Sequence, residues 1–286
     1  MSLKVLSFVL SLAVAAPALA APQEETYTDL EPGVGMLEPG NLAELLRQGD
    51  VRAMNNVALL WAKGFQGKQS YEEAMRWWKE AAKRGYTVAM NNIGLLYANG
   101  HGVPVNLEQA FEWWHQAAFL GDAWAMNSVG HSYENGEGVA QDYVMAMTWY
   151  RSAAEQGDEM AMYNVGALFE DGKGVERNFV EALSWYRRAA ALGEASAMRA
   201  IARFYRRGDA VGMDKVEAFA WHVAADASFS AQEESEASLN RRELTQLGDS
   251  LSREQVERAR ARAEEIRAAV KKPEPSAPAQ PGGPKI

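Results

Sequence analysis

The sequence predicts an all-α protein, a solenoid of five helix-turn-helix repeats of 36 residues each. The pair Ala-Met recurs with this spacing at 53–54, 89–90, 125–126, 161–162 and 197–198. Two sets of glycines keep the same spacing, and no run of alternating Val, Ile and Thr indicates a strand. A fixed period of this length is typical of stacked supersecondary units, because no single unit can bury its own apolar face.

The first helix of each repeat, helix A, is best seen in the second copy. Apolar and small residues recur at helical spacing from Ala89 to Tyr97, and Gly100 follows. A glycine at this point ends a helix readily, because it adopts the left-handed conformation at little cost. The spacing therefore predicts that every helix A ends at a glycine, namely Gly64, Gly100, Gly136, Gly172 and Gly208.

The second helix, helix B, is predicted from its capping residues. A short polar side chain opens it in each copy, at Ser70, Asn106, Asp142, Asn178 and Asp214. A capping box is completed in four copies by Glu73, Gln109, Glu181 and Glu217, and the third copy, with Met145, should cap less well. The recurring tryptophans of helix B are expected to lie in the core, at Trp77, Trp113, Trp149, Trp185 and Trp221.

These motifs resemble the SEL-one-like repeat family, a relative of the tetratricopeptide repeats. The similarity covers residues 50–228 in five copies, and in the second copy it rests on Ala-Met-Asn-Asn-Ile-Gly-Leu-Leu-Tyr followed by Ala-x-x-Trp-Trp-x-x-Ala-Ala-x-x-Gly. The outer copies depart from it, with Ala58 and Ala202 at the helix A glycine and Gln66 and Ala210 at the loop glycine. The resemblance implies a right-handed α-solenoid.

The ends of the chain give the domain boundaries. We expect a signal peptide at 1–20, a flexible segment at 21–36, the solenoid at 37–229 with a half-repeat at its start, capping helices at 230–272 and a disordered Pro-rich tail at 273–286. The last predicted helix has a stripe of apolar residues from Val256 to Val270, and a partner-binding coiled coil is the alternative to a cap.

Composition and compartment exclude several classes of protein. Lys4, an apolar run and Ala18-Leu19-Ala20 predict a cleaved signal and a periplasmic or secreted protein, with no membrane-spanning segment left after cleavage. The chain has no cysteine, which excludes disulfides and thiolate metal sites. A net charge of −9 argues against nucleic acid as a partner.

No catalytic residue, cofactor or metal is predicted. A catalytic residue is needed only once, whereas a packing residue is needed in every copy. Few chemically reactive residues occur in one copy alone. The four histidines are scattered among loop and helices, and HExxH, GxSxG and phosphate-loop motifs are missing.

A partner-binding surface is predicted by superimposing helix A on the tetratricopeptide pattern. This places certain helix A positions in the concave groove, where the lining changes from apolar and amide to aromatic and acidic, and then to basic. Such a groove suits an extended polypeptide. The candidate residues are Asn91, Leu95, Trp124, Asn127, His131, Tyr163, Arg199, Arg203 and Arg206.

The function expected from the resemblance and from this groove is a non-enzymatic periplasmic scaffold or regulator that binds another envelope protein. An immunity protein that neutralises a toxin delivered to the periplasm, such as a lipase-type effector, is the main alternative. A cell-wall or β-lactam hydrolase is a third hypothesis, weakened because the relatives that suggest it are rich in cysteine.

Overall fold

The computed structural model describes residues 39–64, 68–230 and 233–270, which form thirteen α-helices and no strand. The first helix of each repeat is α2 (Val51–Lys63), α4 (Thr87–Asn99), α6 (Ala123–Asn135), α8 (Glu159–Asp171) and α10 (Ala195–Arg207). The second is α3 (Tyr71–Ala82), α5 (Leu107–Phe119), α7 (Tyr143–Glu155), α9 (Phe179–Ala190) and α11 (Lys215–Asp226). Helix α1 (Pro39–Gln48) precedes them, and α12 (Glu234–Gly248) and α13 (Arg253–Ala268) follow.

The predicted signal peptide, the segment 21–36 and the Pro-rich tail 273–286 lie outside the described residues. Within the described ranges, no helix is long and apolar enough to cross a membrane.

The helices belong to two compact units. The first unit contains α1, the hairpins α2–α3 and α4–α5, and α6 up to Val129, together with 137–140. The second contains 130–136, α7, the hairpins α8–α9 and α10–α11, and the two C-terminal helices. In the hairpins α2–α3, α4–α5, α8–α9 and α10–α11 the two helices pack along their length, and helix B also contacts the helix A that follows it in the same unit.

The predicted helix boundaries are confirmed. The polar residue before each helix B accepts a backbone hydrogen bond from the first turn, as between Ser70 Oγ and the amide of Glu73 at 3.2 Å. Gly64, Gly100, Gly172 and Gly208 are left-handed and end their helices. The third copy caps as well as the others, because Asp142 accepts from the amides of Val144 and Met145. The side chains predicted to complete capping boxes in other copies bond elsewhere, Glu73 to Arg76, Gln109 to Glu112 and Glu217 to Trp221.

The starts of four of the five helices A are also capped by side chains, which the sequence analysis missed, whereas Tyr86 before α4 makes no such bond. Asp50, Asp122 and Asp158 each accept a hydrogen bond from the amide three residues later, at 2.7–2.9 Å. Glu194 takes this role in the fifth repeat by accepting from the Ser196 amide at 2.9 Å. An acidic side chain here also interacts favourably with the helix dipole.

The core lies between helix A and helix B of each repeat. The repeating alanines of both helices are fully buried, for example Ala89 and Ala110. The expectation for the recurring tryptophans is correct for Trp149, which is buried, whereas the other four are only half-buried. The following position points inward instead, and its residues Trp78, Trp114, Tyr150, Tyr186 and His222 are all buried. Adjacent residues on a helix point about 100° apart, so only one of the two can face helix A.

The glycine in the middle of helix A makes room for this buried ring. A Cβ atom on Gly94 would lie 2.2 Å from Nε1 of Trp114, and one on Gly166 would lie 2.8 Å from the ring of Tyr186. Both approaches are far closer than packed atoms allow. The repeat therefore requires its helix A glycine wherever a large ring packs this closely against the helix.

The two C-terminal helices both pack on α11. Ser252 and Gln255 form a capping box at the start of α13. The apolar stripe of α13 buries Ala259, Ala263 and Ile266. The stripe therefore packs within the chain, as expected for a cap, whereas a coiled coil would leave it exposed for a partner.

Candidate protein-binding surface

In the first unit, Asn91 is buried and has a structural contact. Its Nδ2 atom donates a hydrogen bond to Oδ1 of Asp122 at 3.0 Å, and the same oxygen caps α6 through the Ala125 amide. Only 4% of Asn91 is exposed. The structure therefore places this candidate between two repeats, where it joins α4 to the start of α6.

Trp124 is the most prominent accessible candidate of the first unit. It is 37% exposed, and its ring lies edge-on to the buried Trp114, with centroids 6.2 Å apart. Leu95 and Asn127 are half-buried. Trp124 is thus held in place by Trp114 while part of its ring is exposed to solvent, as is typical of an aromatic side chain that anchors a binding partner.

Phe119 and Leu120 are two further exposed apolar side chains of the first unit, and the sequence analysis missed them. They are 45% and 38% exposed, at the end of α5 and in the turn to α6, and precede Trp124 by five and four residues. Phe119 packs edge-on against His115 at 4.6 Å, and burial lowers the pKa of that histidine. The sequence could have indicated Phe119, since the equivalent positions in the neighbouring repeats carry the charged residues Lys83 and Glu155.

In the second unit, His131 and Tyr163 occupy the predicted aromatic stretch. His131 is exposed, and Asn135 lies 3.1 Å from its Nε2 atom. Tyr163 is half-buried, with its ring centroid 5.5 Å from that of Tyr186. Burial raises the pKa of the Tyr163 hydroxyl, and the nearby Arg203 partly opposes the shift. Tyr163 is therefore a neutral, partly supported side chain at neutral pH.

The predicted basic stretch has partners within the chain. Arg199 forms ion pairs with Glu236 and, at 3.3 Å, with Glu243, and Arg206 lies 3.7 Å from Glu243. Both glutamates are on α12, seven residues apart and so on one helical face. A partner protein would have to compete with these carboxylates for Arg199, whose side chain is only 14% exposed.

Glu170 of α8 receives the remaining arginine contacts. Arg203 lies 3.2 Å and Arg207 3.7 Å from its carboxylate, and the Tyr186 hydroxyl donates to it at 2.7 Å. These bonds join α8, α9 and α10. The arginine cluster that resembles a binding surface in the sequence is largely neutralised by in-chain carboxylates.

Among the described residues, no group of three or more His, Asp or Glu side chains is placed to hold a metal ion. Exposed large apolar side chains occur in both units, among them Trp124 in the first and Met160 in the second. The arginine–carboxylate ion pairs of α10 lie in the second unit.

Helical hairpins at a constant 36-residue spacing, with an invariant small-residue core and a variable helix A face, define an all-α helical-repeat protein of the solenoid class. The Sel1 repeat model matches residues 51–86, 87–122, 125–158, 159–194 and 195–225, and the chain belongs to the Sel1 repeat family. Proteins of this family generally mediate protein–protein interactions and are typically non-catalytic. No curated protein sequence gives a significant match.

Solved structures share the fold. The protective antigen c5321 of uropathogenic Escherichia coli, which displays an SLR fold, is 25% identical with a TM-score of 0.70, covering 80% of this chain and 48% of that one. This chain thus spans about half of the antigen's length. A Sel1 repeat protein from Oxalobacter formigenes is 28% identical with a TM-score of 0.62, covering 68% of this chain and 81% of that one.

A third similarity involves the immunity protein Pa5087 from Pseudomonas aeruginosa. It is 17% identical with a TM-score of 0.45, covering 90% of each chain. A similarity this low supports no functional inference, so an immunity role stays a prediction from the sequence.

Proposed function

We propose that this chain is a non-enzymatic scaffold or regulator of the cell envelope, which binds another envelope protein through the helix A faces of its repeats. The predicted signal peptide at 1–20 supports a periplasmic or secreted location. Membership of the Sel1 repeat family supports a protein partner.

One observation carries the proposal, namely the exposure of large apolar side chains at one repeat position. Trp124 is 37% exposed, and Met160, which lies 36 residues later, is 54% exposed. Core positions keep their residue type from copy to copy, whereas this position changes from Val88 through Trp124 and Met160 to Ser196. A position that varies while presenting large apolar groups to solvent is better explained by a specific partner than by packing.

The contacts suggest where the binding energy comes from. Trp124 offers an exposed aromatic ring, and tryptophan is among the residues that dominate interface energies. Phe119 and Leu120, five and four residues earlier in the chain, offer further exposed apolar groups. The arginines of α10 contribute less in this proposal, because Glu170, Glu236 and Glu243 already pair with them.

The test compares Trp124→Ala with Val144→Ala in the full chain. Val144 is 61% exposed in the first turn of α7 and lies on neither helix A nor the α5–α6 turn. Each tagged chain is cross-linked in its own envelope fraction, and partners are quantified by mass spectrometry. We expect Trp124→Ala to lose a partner that Val144→Ala and the unchanged chain retain, with a binding cost of about 2 kcal/mol or more.

Equal recovery of every partner by all three chains would refute the helix A proposal. Circular dichroism of the variants shows whether a lost partner reflects the surface or the fold, since Trp124 also touches Trp114.

A further inference from the structure

The second unit contains a groove along the exposed side of α9, which we call the α9 groove. It has a volume of about 480 Å³. Its lining residues are Val180, Leu183, Ser184, Arg187 and Arg188 of α9, Ala191 directly after that helix, and Ala210 and Val211 of the loop that follows α10. The α9 residues follow a spacing of three and four, so they form one stripe of the helix.

The groove lies where the repeat pattern breaks. In the middle repeats the loop glycine packs closely against the start of the preceding helix B, and a Cβ on Gly174 would lie 2.6 Å from the backbone of Tyr143. The fifth repeat has Ala210 at this position, with a φ of 59°. A Cβ atom prevents the same close approach, and the α9 groove opens beside it.

The α9 stripe also differs in charge from the other helix B stripes. The equivalent stripes of α3, α5 and α7 each contain a carboxylate, at Glu80, Glu112 and Glu155 among others. The stripe of α9 has two arginines and no carboxylate, and the stripe of α11 is wholly apolar. In a chain with a net charge of −9, a locally basic stripe is a distinctive feature.

Both arginines of the groove are available to a ligand. Arg187 donates to the Tyr205 hydroxyl at 3.3 Å, and Arg188 lies 3.9 Å above the ring of Trp185. Neither has a carboxylate partner in the part of the chain that the structure describes. Beside them, Val180 is 67% exposed, which leaves an apolar surface next to two unneutralised cations.

We propose that the α9 groove is a second docking surface, for an extended protein segment that carries carboxylates next to aliphatic side chains. The aliphatic groups lie against Val180, Ala191 and Val211, and the carboxylates pair with Arg187 and Arg188. From Val180 to Ala191 the stripe covers twelve residues and rises about 16 Å, which an extended segment of about five residues covers. This surface is distinct from the helix A faces of the proposed function.

The test uses fluorescence anisotropy with the full chain and three labelled peptides of about ten residues, long enough to cover the stripe. One peptide alternates Asp or Glu with Leu or Val, one replaces the acids by Lys, and one replaces the aliphatic residues by Ser and Gly. We expect only the acidic aliphatic peptide to bind, more weakly as salt is raised.

Variants locate the binding. Arg187→Glu with Arg188→Glu, and separately Val180→Asp, should each weaken binding by about tenfold or more. The controls are Arg151→Glu and Val144→Asp, at the positions on α7 that precede Arg187 and Val180 by 36 residues, and the position that precedes Arg188 is Ser152. Both controls should bind as the unchanged chain does. Trp124→Ala should also leave peptide binding unchanged, which separates this surface from the helix A faces.

Three outcomes would overturn the α9 groove. These are no binding of the acidic aliphatic peptide, equal binding of the lysine peptide, or an equal loss in the α7 controls. Binding to phosphatidylglycerol vesicles without binding to the peptide would also overturn it, in favour of an anionic lipid surface. Circular dichroism and melting curves confirm that each variant is folded.

Discussion

The hydroxyl of Tyr186 donates a hydrogen bond of 2.7 Å to the carboxylate of Glu170. Tyr150 makes the same bond to Glu134 at 2.8 Å, one repeat earlier. In the first two repeats the ring position holds tryptophan and the glutamate position holds alanine, so the two positions change together. A buried phenol is thus accompanied by its acceptor on helix A of the same repeat.

Removing this hydroxyl should destabilise the second unit. We expect Tyr186→Phe to lower the free energy of unfolding by about 1 kcal/mol, because Glu170 loses a charge-assisted hydrogen bond but keeps its arginine partners. Denaturation with urea measures the loss. Tyr143→Phe is the control, since the Tyr143 hydroxyl only accepts an exposed bond from Gln141, and an equal loss there would contradict the argument.

Replacing the left-handed Ala210 by glycine should stabilise the chain. Its φ of 59° is disfavoured for any residue with a Cβ atom, so we expect Ala210→Gly to raise the unfolding free energy by about 1 kcal/mol. The opposite change in the preceding repeat, Gly174→Ala, should cost about 2 kcal/mol, because its Cβ meets the backbone of Tyr143 at 2.6 Å. Melting curves should show a higher melting temperature for Ala210→Gly and a lower one for Gly174→Ala than for the unchanged chain.

The buried His222 should make stability depend on pH. Its Nδ1 atom lies 2.7 Å from Oδ1 of Asn240, whose Nδ2 donates to the His222 carbonyl, so Nδ1 carries the proton. Burial lowers the pKa of His222, opposed by the Asn240 bond and by Glu243, while Arg206 acts in the same direction as burial.

The direction in which stability changes with pH depends on whether the folded or the unfolded chain binds the proton more readily. The unfolded chain takes up a proton below about pH 6.5 and the folded chain does not, so stability is full above that pH and falls as the pH is lowered. The slope contributed by one such group is at most about 1.4 kcal/mol per pH unit. Urea midpoints between neutral and mildly acidic pH should fall less steeply in His222→Gln than in the unchanged chain or in His131→Gln. An unchanged slope in His222→Gln would contradict this account.

Detachment of α13 from α11 should make the chain self-associate. Ala263 is fully buried on that helix, so Ala263→Asp places an unpaired charge in an apolar contact and should release the helix. The face of α11 that packs against α13 then becomes exposed. Light scattering after gel filtration should detect oligomers of Ala263→Asp, whereas Arg260→Asp on the exposed side of α13 should behave as the unchanged chain.

Repetition made most of the fold predictable. A residue needed for packing appears in every copy, so the positions of the helices, the left-handed glycines and the helix B caps follow from the 36-residue period. The choice between Trp113 and Trp114 as the buried ring did not follow, because both are apolar and only the helix rotation against Gly94 decides.

The candidate surface was less predictable, because it depends on contacts between repeats. The sequence shows arginines on α10 but not the carboxylates that reach them, since Glu236 and Glu243 come from a helix outside the repeat pattern. Likewise, nothing in the local pattern indicates that Asn91 turns toward Asp122. Exposed groups such as Trp124 were easier to find, because they need only face away from the core.

The hydrogen bonds of Asn55 restrict how this chain can change its number of repeats. Its Oδ1 atom accepts from Trp78 within its own repeat at 2.9 Å and from Asn92 of the next repeat at 3.2 Å. A duplication or deletion that placed the third repeat beside the first would put Ser128 where Asn92 stands, and its shorter side chain would leave a buried acceptor without its second donor. A change in the number of repeats is therefore costly at this junction, as it is at the junction of the fourth and fifth repeats, which Glu170 and Arg203 join.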